Sequence, residues 1–311
     1  MPGPLVSVIV PTHDHERFVR ETLDSVFAQT YPHLQVIVSD DASSDGTAAL
    51  VRDTFGDRVE LVTSPVNTGI SGNFNRALAA VRGELVAWLD GDVLMRRDRI
   101  ERQVAALASR PDAAGCLADA EVLQWPSGEV LGRFTTLVNG RPGVREGGIE
   151  LLFDPNYAML PSVSLLRAAC IPAHGFDERI PVLNDWLFHI EVFRNGPVVA
   201  VDDVLGSYRR HGGNITLEAD TLARSVEDQL IVLAIIAARY PELAGRVKRR
   251  TAAVHLIAAR DAIGRRRWPE ARRRLRAALL AGGAVRSGLA GSALAMGMLQ
   301  RRRARRGLDF A

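Results

Sequence analysis

The chain opens in short, mostly apolar runs, each closed by a polar cluster. Val6 to Val10 stops at Pro11, and Gln35 to Ser39 stops at Asp40-Asp41. Val59 to Val62 and Leu85 to Leu89 follow. Runs of this length bounded by turn residues predict buried strands. Between them the spacing changes. Phe18, Leu23, Val26 and Phe27 share one helical face, as do Ile100, Val104 and Leu107, and Ser71 to Val81 reads as a further helix. The stretch "DDASSDGTAALV" supplies turn residues, a cap at Asp45 and another helix start. Strand and helix alternating in this way predict an α/β fold with a doubly wound, mostly parallel sheet.

The middle is less regular. Short strands are expected near Ala114 to Ala118, Val163 to Leu166 and Val198 to Val201, with a hairpin turn at "WPSGE" and a loop at "VNGRPG". From Leu222 the pattern is helical throughout, with a helix pair turning near Gly264 to Trp268.

Charge divides the chain in the same place. From Arg239 on there are 19 Lys+Arg and 4 Asp+Glu, a net +15, which leaves −12 for the preceding part and +3 overall. An acidic body and a basic helical appendage are therefore expected as separate modules, residues 1–216 and 217–311. Cys116 and Cys170 form no framework or CxxC pair, which fits a reducing compartment, and both read as core. No secretory leader is expected, and no apolar stretch approaches the roughly 20 residues that cross a bilayer. The expected location is cytoplasmic.

The chemistry lies where the strands end. Ligands of open α/β sheets bind at the carboxyl ends of the strands. Pro11-Thr12 follows the first strand, Asp40-Asp41 the second, and Asp90 and Asp92 the fourth, in "VAWLDGDVLM". Two carboxylates one residue apart suit a hard cation such as Mg²⁺ or Mn²⁺, held by one or two carboxylates plus substrate phosphates.

Five stretches, in order over residues 5 to 216, carry a resemblance. They are "VSVIVPTHDHERFVRETLDSVFAQTYPHLQVIVSDDASSDGT", "NTGISGNFNRAL", "GELVAWLDGDV", "GFDERIPVLNDW" and "VLGSYRRHGGNIT". Together they resemble family 2 glycosyltransferases of the GT-A fold, inverting enzymes that use nucleotide-diphosphate sugars. The resemblance implies that Pro11, Thr12, Glu16 and Asp41, with Asp40 supporting, hold the base and ribose. It places Asp90 on the ribose or a metal-bound water, Asp92 on the metal and His211 on the diphosphate or its metal. Arg209 and Arg210 stand where they could neutralise diphosphate charge or be solvated, and Tyr208 reads as packing. Asp185 is implied as the catalytic base. Two departures stand out: Val93 replaces a third acid after the Asp-x-Asp, and Asn184-Asp185 replaces Glu-Asp. The second removes a neighbouring charge that would raise the pKa of Asp185.

The expected donor is a UDP- or dTDP-sugar. The acceptor class is a surface polysaccharide, a lipid-linked glycan or a small natural product. A nucleotidyltransferase is disfavoured because "PTHDHERF" lacks glycine, and an NAD enzyme because no GxGxxG occurs. A receiver domain would want a lysine near its acidic site, and Lys248 is remote. A non-catalytic sugar-nucleotide-binding module fits poorly with Asp90, Asp92, Asp185 and His211 all present. The basic tail, ending "QRRRARRGLDFA" after the Gly-rich apolar "AVRSGLAGSALAMGML", suits peripheral contact with an anionic membrane surface or helical packing. Nucleic acid is not expected, since no aromatic platform accompanies the arginines.

Overall fold

The computed structural model describes residues 3–180, 183–214 and 221–281. The segment from 282 on, which holds the apolar and basic runs of the tail, lies outside the described residues. Contacts divide the chain into two compact units. The first comprises Met1–Phe134, Gly143–Ile149 and Met159–His211; the second comprises Thr135–Pro142, Glu150–Ala158 and Gly212–Ala311.

The first unit is built on one sheet. The runs read from the sequence become β1 (Val6–Thr12), β2 (Leu34–Asp40), β3 (Glu60–Thr63) and β4 (Leu85–Trp88). They lie in the order β3-β2-β1-β4 and are all parallel. The helices between them are α1 (Val19–Phe27), α2 (Thr47–Phe55) and α3 (Gly69–Leu78). Val8, Val10, Leu23, Val36, Val38 and Ala87 meet in the core. Each large aliphatic side chain buried there contributes about 1.5–3 kcal/mol.

Beyond β4 the sheet changes character. A three-residue strand β5 (Val93–Met95) and helix α4 (Arg99–Ala108) precede β6 (Gly115–Gln124) and β7 (Glu129–Arg133). After two short helices, α5 (Phe134–Asn139) and α6 (Glu150–Phe153), come β8 (Leu165–Arg167), helix α7 (Asn184–Phe193) and β9 (Val198–Arg210). The order continues β4-β8-β6-β9-β5 with β7 on β6. In this half β4–β8, β6–β8, β6–β7 and β5–β9 are antiparallel and only β6–β9 is parallel. Strand β5 has no sequence signature of its own. It exists because Val93, Leu94 and Met95 pair with Tyr208, Ser207 and Gly206. Val93, at the place of the missing acid, is fully buried there.

The second unit carries α8 (Thr221–Arg239), α9 (Ala244–Gly264) and α10 (Trp268–Leu280), and the α9–α10 turn falls where the periodicity put it. Within this unit Arg250 is half-buried, donates to Gln229 Oε1 (2.9 Å) and is pushed down to about 10 by desolvation, with Asp154 opposing. On α10, Trp268, Leu279 and Leu280 stay exposed beside Arg272, Arg273 and Arg276. No helix among the described residues is long and apolar enough to cross a membrane.

Candidate active site

The residues singled out from the sequence gather at the carboxyl ends of β1, β2 and β4. Thr12 is buried, and its hydroxyl donates to Asp40 Oδ1 (3.0 Å). Asp40 also accepts the backbone N–H of Ser43 (3.0 Å). Asp41 accepts the backbone N–H of Thr68 (3.0 Å) and the Thr68 hydroxyl (2.6 Å), and faces Arg76 Nη2 at 3.3 Å. Burial alone would raise Asp41, but Thr68 and Arg76 outweigh it and hold the carboxyl below its ordinary value. Asp41 is thus ionised, and both side chains are aimed before any ligand arrives, each with lone pairs left for a further donor. Glu16 lies at the surface, where its Oε2 accepts the N–H of Gly46 (3.2 Å) and ties the loop after β1 to the start of α2. Pro11 is half-buried on β1.

The Asp-x-Asp lies just past β4. Asp92 is buried, and its Oδ2 stands 2.9 Å from His211 Nε2, at the end of β9. Asp90 accepts a hydrogen bond from the Ser162 hydroxyl. Burial, then the charge of Asp92, pushes Asp90 up to about 7 against that hydrogen bond, with Asp185 adding to the rise. Repulsion of this kind relaxes when a cation enters. A hard carboxylate beside an imidazole fits Mn²⁺ or Mg²⁺. Among the described residues no three His, Cys, Asp or Glu side chains form a cage, so such an ion would take its remaining ligands from donor phosphates and water.

Asp185 occupies the first turn of α7. The helix is clamped under β4 by aromatic packing: Phe188 stacks on Phe176 at 4.2 Å, and both rings pack against the buried Trp88. This brings Asp185 close enough for its charge to act on Asp90. Its own carboxyl is pushed up to about 6 by burial, with the backbone N–H groups of Trp186 and Asp185 opposing. No charge at position 184 contributes to this rise; burial supplies it. Asn184 is itself buried, and its Nδ2 donates to Ser71 Oγ (2.8 Å) while its Oδ1 receives the N–H of Asp185 (2.8 Å). A glutamate in that seat would be a charge facing a hydroxyl.

Arg209 is neither solvated nor directed at a diphosphate. It is buried, pairs with Glu21, lies 5.5 Å over the Phe18 ring and donates to the Asp92 carbonyl (3.3 Å). Arg210 is half-buried on the neighbouring position, and its carbonyl accepts the N–H of Trp125 (2.9 Å). Tyr208 packs against the core, as expected. Cys116 is buried and Cys170 half-buried.

Three contributors were not singled out as site residues from the sequence. Arg99 is fully buried at the start of α4 and donates to the carbonyls of Ser162 (2.7 Å) and Ser164 (3.0 Å). It holds the turn whose hydroxyl reaches Asp90, and burial pushes it down to about 9, which leaves it charged at neutral pH. In the sequence it is one of many arginines. Phe18 is the second: its ring lies 4.5 Å from that of His211 and fixes the imidazole. The third, His15, has its pKa lowered by burial and feels the charges of Asp92 and His211.

An α/β sheet with this strand-end rim and an Asp-x-Asp beside a histidine has the architecture of the GT-A fold. Residues 7–143 match the model of glycosyl transferase family 2. Among curated relatives, TuaG of Bacillus subtilis, named for teichuronic acid biosynthesis, is 34% identical over 109 residues, 34% of this chain and 43% of TuaG. EpsE of the same organism, also named a glycosyltransferase, is 35% identical over 108 residues, 34% of this chain and 39% of EpsE. The match thus spans about two fifths of each of these relatives. Among solved structures, S. aureus TarS 1–349 in complex with UDP-GlcNAc superposes with a TM-score of 0.69 at 19% identity, over 97% of this chain and 88% of that one. The Pyrobaculum calidifontis mannosyltransferase PcManGT, in complex with GDP-Man and Mn²⁺, gives 0.59 at 21% identity, over 97% and 80%.

Proposed function

We propose that this chain transfers a sugar from a nucleotide-diphosphate donor to an acceptor hydroxyl, with inversion, in the synthesis of a cell-surface polysaccharide or lipid-linked glycan. The observation that carries the reading is the convergence of Asp90, Asp92 and His211 with Asp185 at one strand end. The name of TuaG supports sugar transfer in polysaccharide synthesis, and the UDP-GlcNAc bound to TarS and the GDP-Man bound to PcManGT support a nucleotide-diphosphate donor. A UDP- or dTDP-sugar remains the favoured donor, because Asp41 can accept the imide N–H of a pyrimidine.

On this reading the acceptor oxygen attacks the anomeric carbon as the bond to the diphosphate oxygen breaks. Asp185 accepts the hydroxyl proton as the attack proceeds. Its pKa of about 6 keeps it ionised yet basic near neutral pH. Asp92 and His211 would hold the divalent cation, Mg²⁺ or Mn²⁺, which offsets the charge growing on the leaving diphosphate. Thr12, Asp40 and Asp41 fix the nucleoside, with Pro11 and Glu16 shaping the loop over it and Arg210 near the diphosphate. The basic helices of the second unit supply peripheral contact with an anionic membrane, where a lipid-linked acceptor would reside. The testing experiment is a panel of UDP-, dTDP- and GDP-sugars assayed for Mn²⁺-dependent hydrolysis and thermal stabilisation. Release of nucleoside diphosphate from one of them is expected; a protein that neither binds nor hydrolyses any of them overturns the reading.

A further inference from the structure

The Asp-x-Asp has a glycine at its centre, and the structure gives that glycine a reason. A β-carbon on Gly91 would stand 2.4 Å from His15 Nδ1, 3.0 Å from Thr12 Cγ2 and 3.1 Å from the Pro11 carbonyl. The His15 ring therefore occupies the space that any other residue at 91 would claim. Both sides of this contact are pinned. The N–H of His15 donates to Thr47 Oγ1 (2.9 Å), and its carbonyl accepts from Phe18 and Val19 (2.9 Å each). Opposite, the Thr22 hydroxyl donates to the Gly91 carbonyl (3.0 Å).

The seated ring has one buried nitrogen, Nδ1, which has no hydrogen-bond partner. A neutral imidazole carries its proton on one nitrogen only. An orphaned buried N–H is a costly and rare arrangement, and an unfilled acceptor is less so. The proton of the neutral ring accordingly sits on Nε2, which makes no hydrogen bond among the described residues. The chain thus holds an unused N–H donor in a fixed position beside the Asp-x-Asp.

We propose that His15 Nε2–H donates a hydrogen bond to a β-phosphate oxygen of the nucleotide diphosphate, next to Asp92 and His211. This assignment rests on the donor-sugar reading above and adds a residue to it. A neutral donor suits this place because it binds the anion without repelling the cation that Asp92 and His211 would hold. As negative charge accumulates on the departing diphosphate, the same hydrogen bond strengthens, which favours bond cleavage over ground-state binding.

The experiment measures Kd by titration calorimetry for UDP, dTDP and GDP against their monophosphates, with Mn²⁺, in the full chain. His15→Ala is expected to weaken the bound diphosphate about tenfold or more, the weight of a hydrogen bond to a charged group, and to leave the monophosphate unchanged. His15→Gln, whose amide N–H reaches a similar point, restores most of the loss. Gly91→Ala, which drives the ring from its seat, gives the same selective loss in a variant whose histidine is intact. Equal weakening of mono- and diphosphate, or no weakening in His15→Ala, overturns the assignment. A wild-type chain that binds none of the diphosphates removes the donor-sugar reading and this one with it.

Discussion

His211 closes on Asp92 across 119 positions of sequence, its Nε2 2.9 Å from the carboxylate oxygen. The contact joins the last residue of the first compact unit to the turn after β4. It also sets the first test. Asp92→Ala is expected to abolish Mn²⁺-dependent turnover and to weaken nucleotide-sugar binding, measured by calorimetry with and without Mn²⁺. Turnover that still responds to Mn²⁺ in this variant rules Asp92 out as a ligand.

Asp185→Asn separates chemistry from binding. Loss of a general base lowers turnover by roughly 10²-fold or more, while donor affinity is expected to hold. In the wild type, kcat should rise as pH passes about 6, where Asp185 loses its proton. That limb is expected to vanish in the variant. A collapse of donor affinity instead would move Asp185 to the donor side.

The same carboxyl links stability to pH. Its folded pKa, about 6, lies above the ordinary 3.8, so the folded state holds the proton more tightly than the unfolded state. Below both values the group is protonated in either state and nothing is lost. As pH rises from about 4 through 6, ionisation penalises the folded state, by up to about 3 kcal/mol. Urea melts of wild type and Asp185→Asn are expected to coincide near pH 4 and to favour the variant at pH 7.5. Coincident melts at both pH values would remove the burial argument.

Arg99→Met keeps the bulk and removes the donors. The carbonyls of Ser162 and Ser164 then lie buried without the guanidinium. A cost of about 2–4 kcal/mol is expected, since each such hydrogen bond from a charged group is worth about 1.5–3 kcal/mol. Thermal melting reads the loss, and turnover is expected to fall further than in a comparably destabilised Leu107→Ala protein, because the Ser162 turn also holds Asp90.

For the basic helices, flotation with vesicles containing anionic lipid is the test. Binding at low salt that is lost at high salt is expected. It should weaken when Arg272, Arg273 and Arg276, which lie beside exposed Trp268 and Leu280, are replaced by glutamine. Full-length protein that stays with the soluble fraction at low salt excludes the contact.

The half of the fold built on β1 to β4 was legible because its signals are local. Each of these strands is a short, mostly apolar run, and Thr12, Asp40, Asp41 and Asp90 lie at or just past the ends of three of them. The other half was not. Strand β5 is defined only by its partner, and β6 and β9 extend well beyond their apolar centres because they pair with each other over their full lengths. Asp185 and His211 were reached through the family resemblance rather than through spacing. Arg99 and His15 escaped altogether. What marks them is burial and a precise neighbour, and neither is written in composition or period.

The two halves of the site also differ in the sequence distance they span. Thr12, Asp40, Asp41, Thr68 and Arg76 are contiguous in synthesis, and their mutual hydrogen bonds need nothing downstream. Asp90 awaits Ser162, 72 residues later, and Asp92 awaits His211. Both halves belong to one compact unit, and a domain folds as a unit. On the proposed reading, the residues that fix the nucleoside are therefore made first and the catalytic groups last, and the site closes only once His211 has been added.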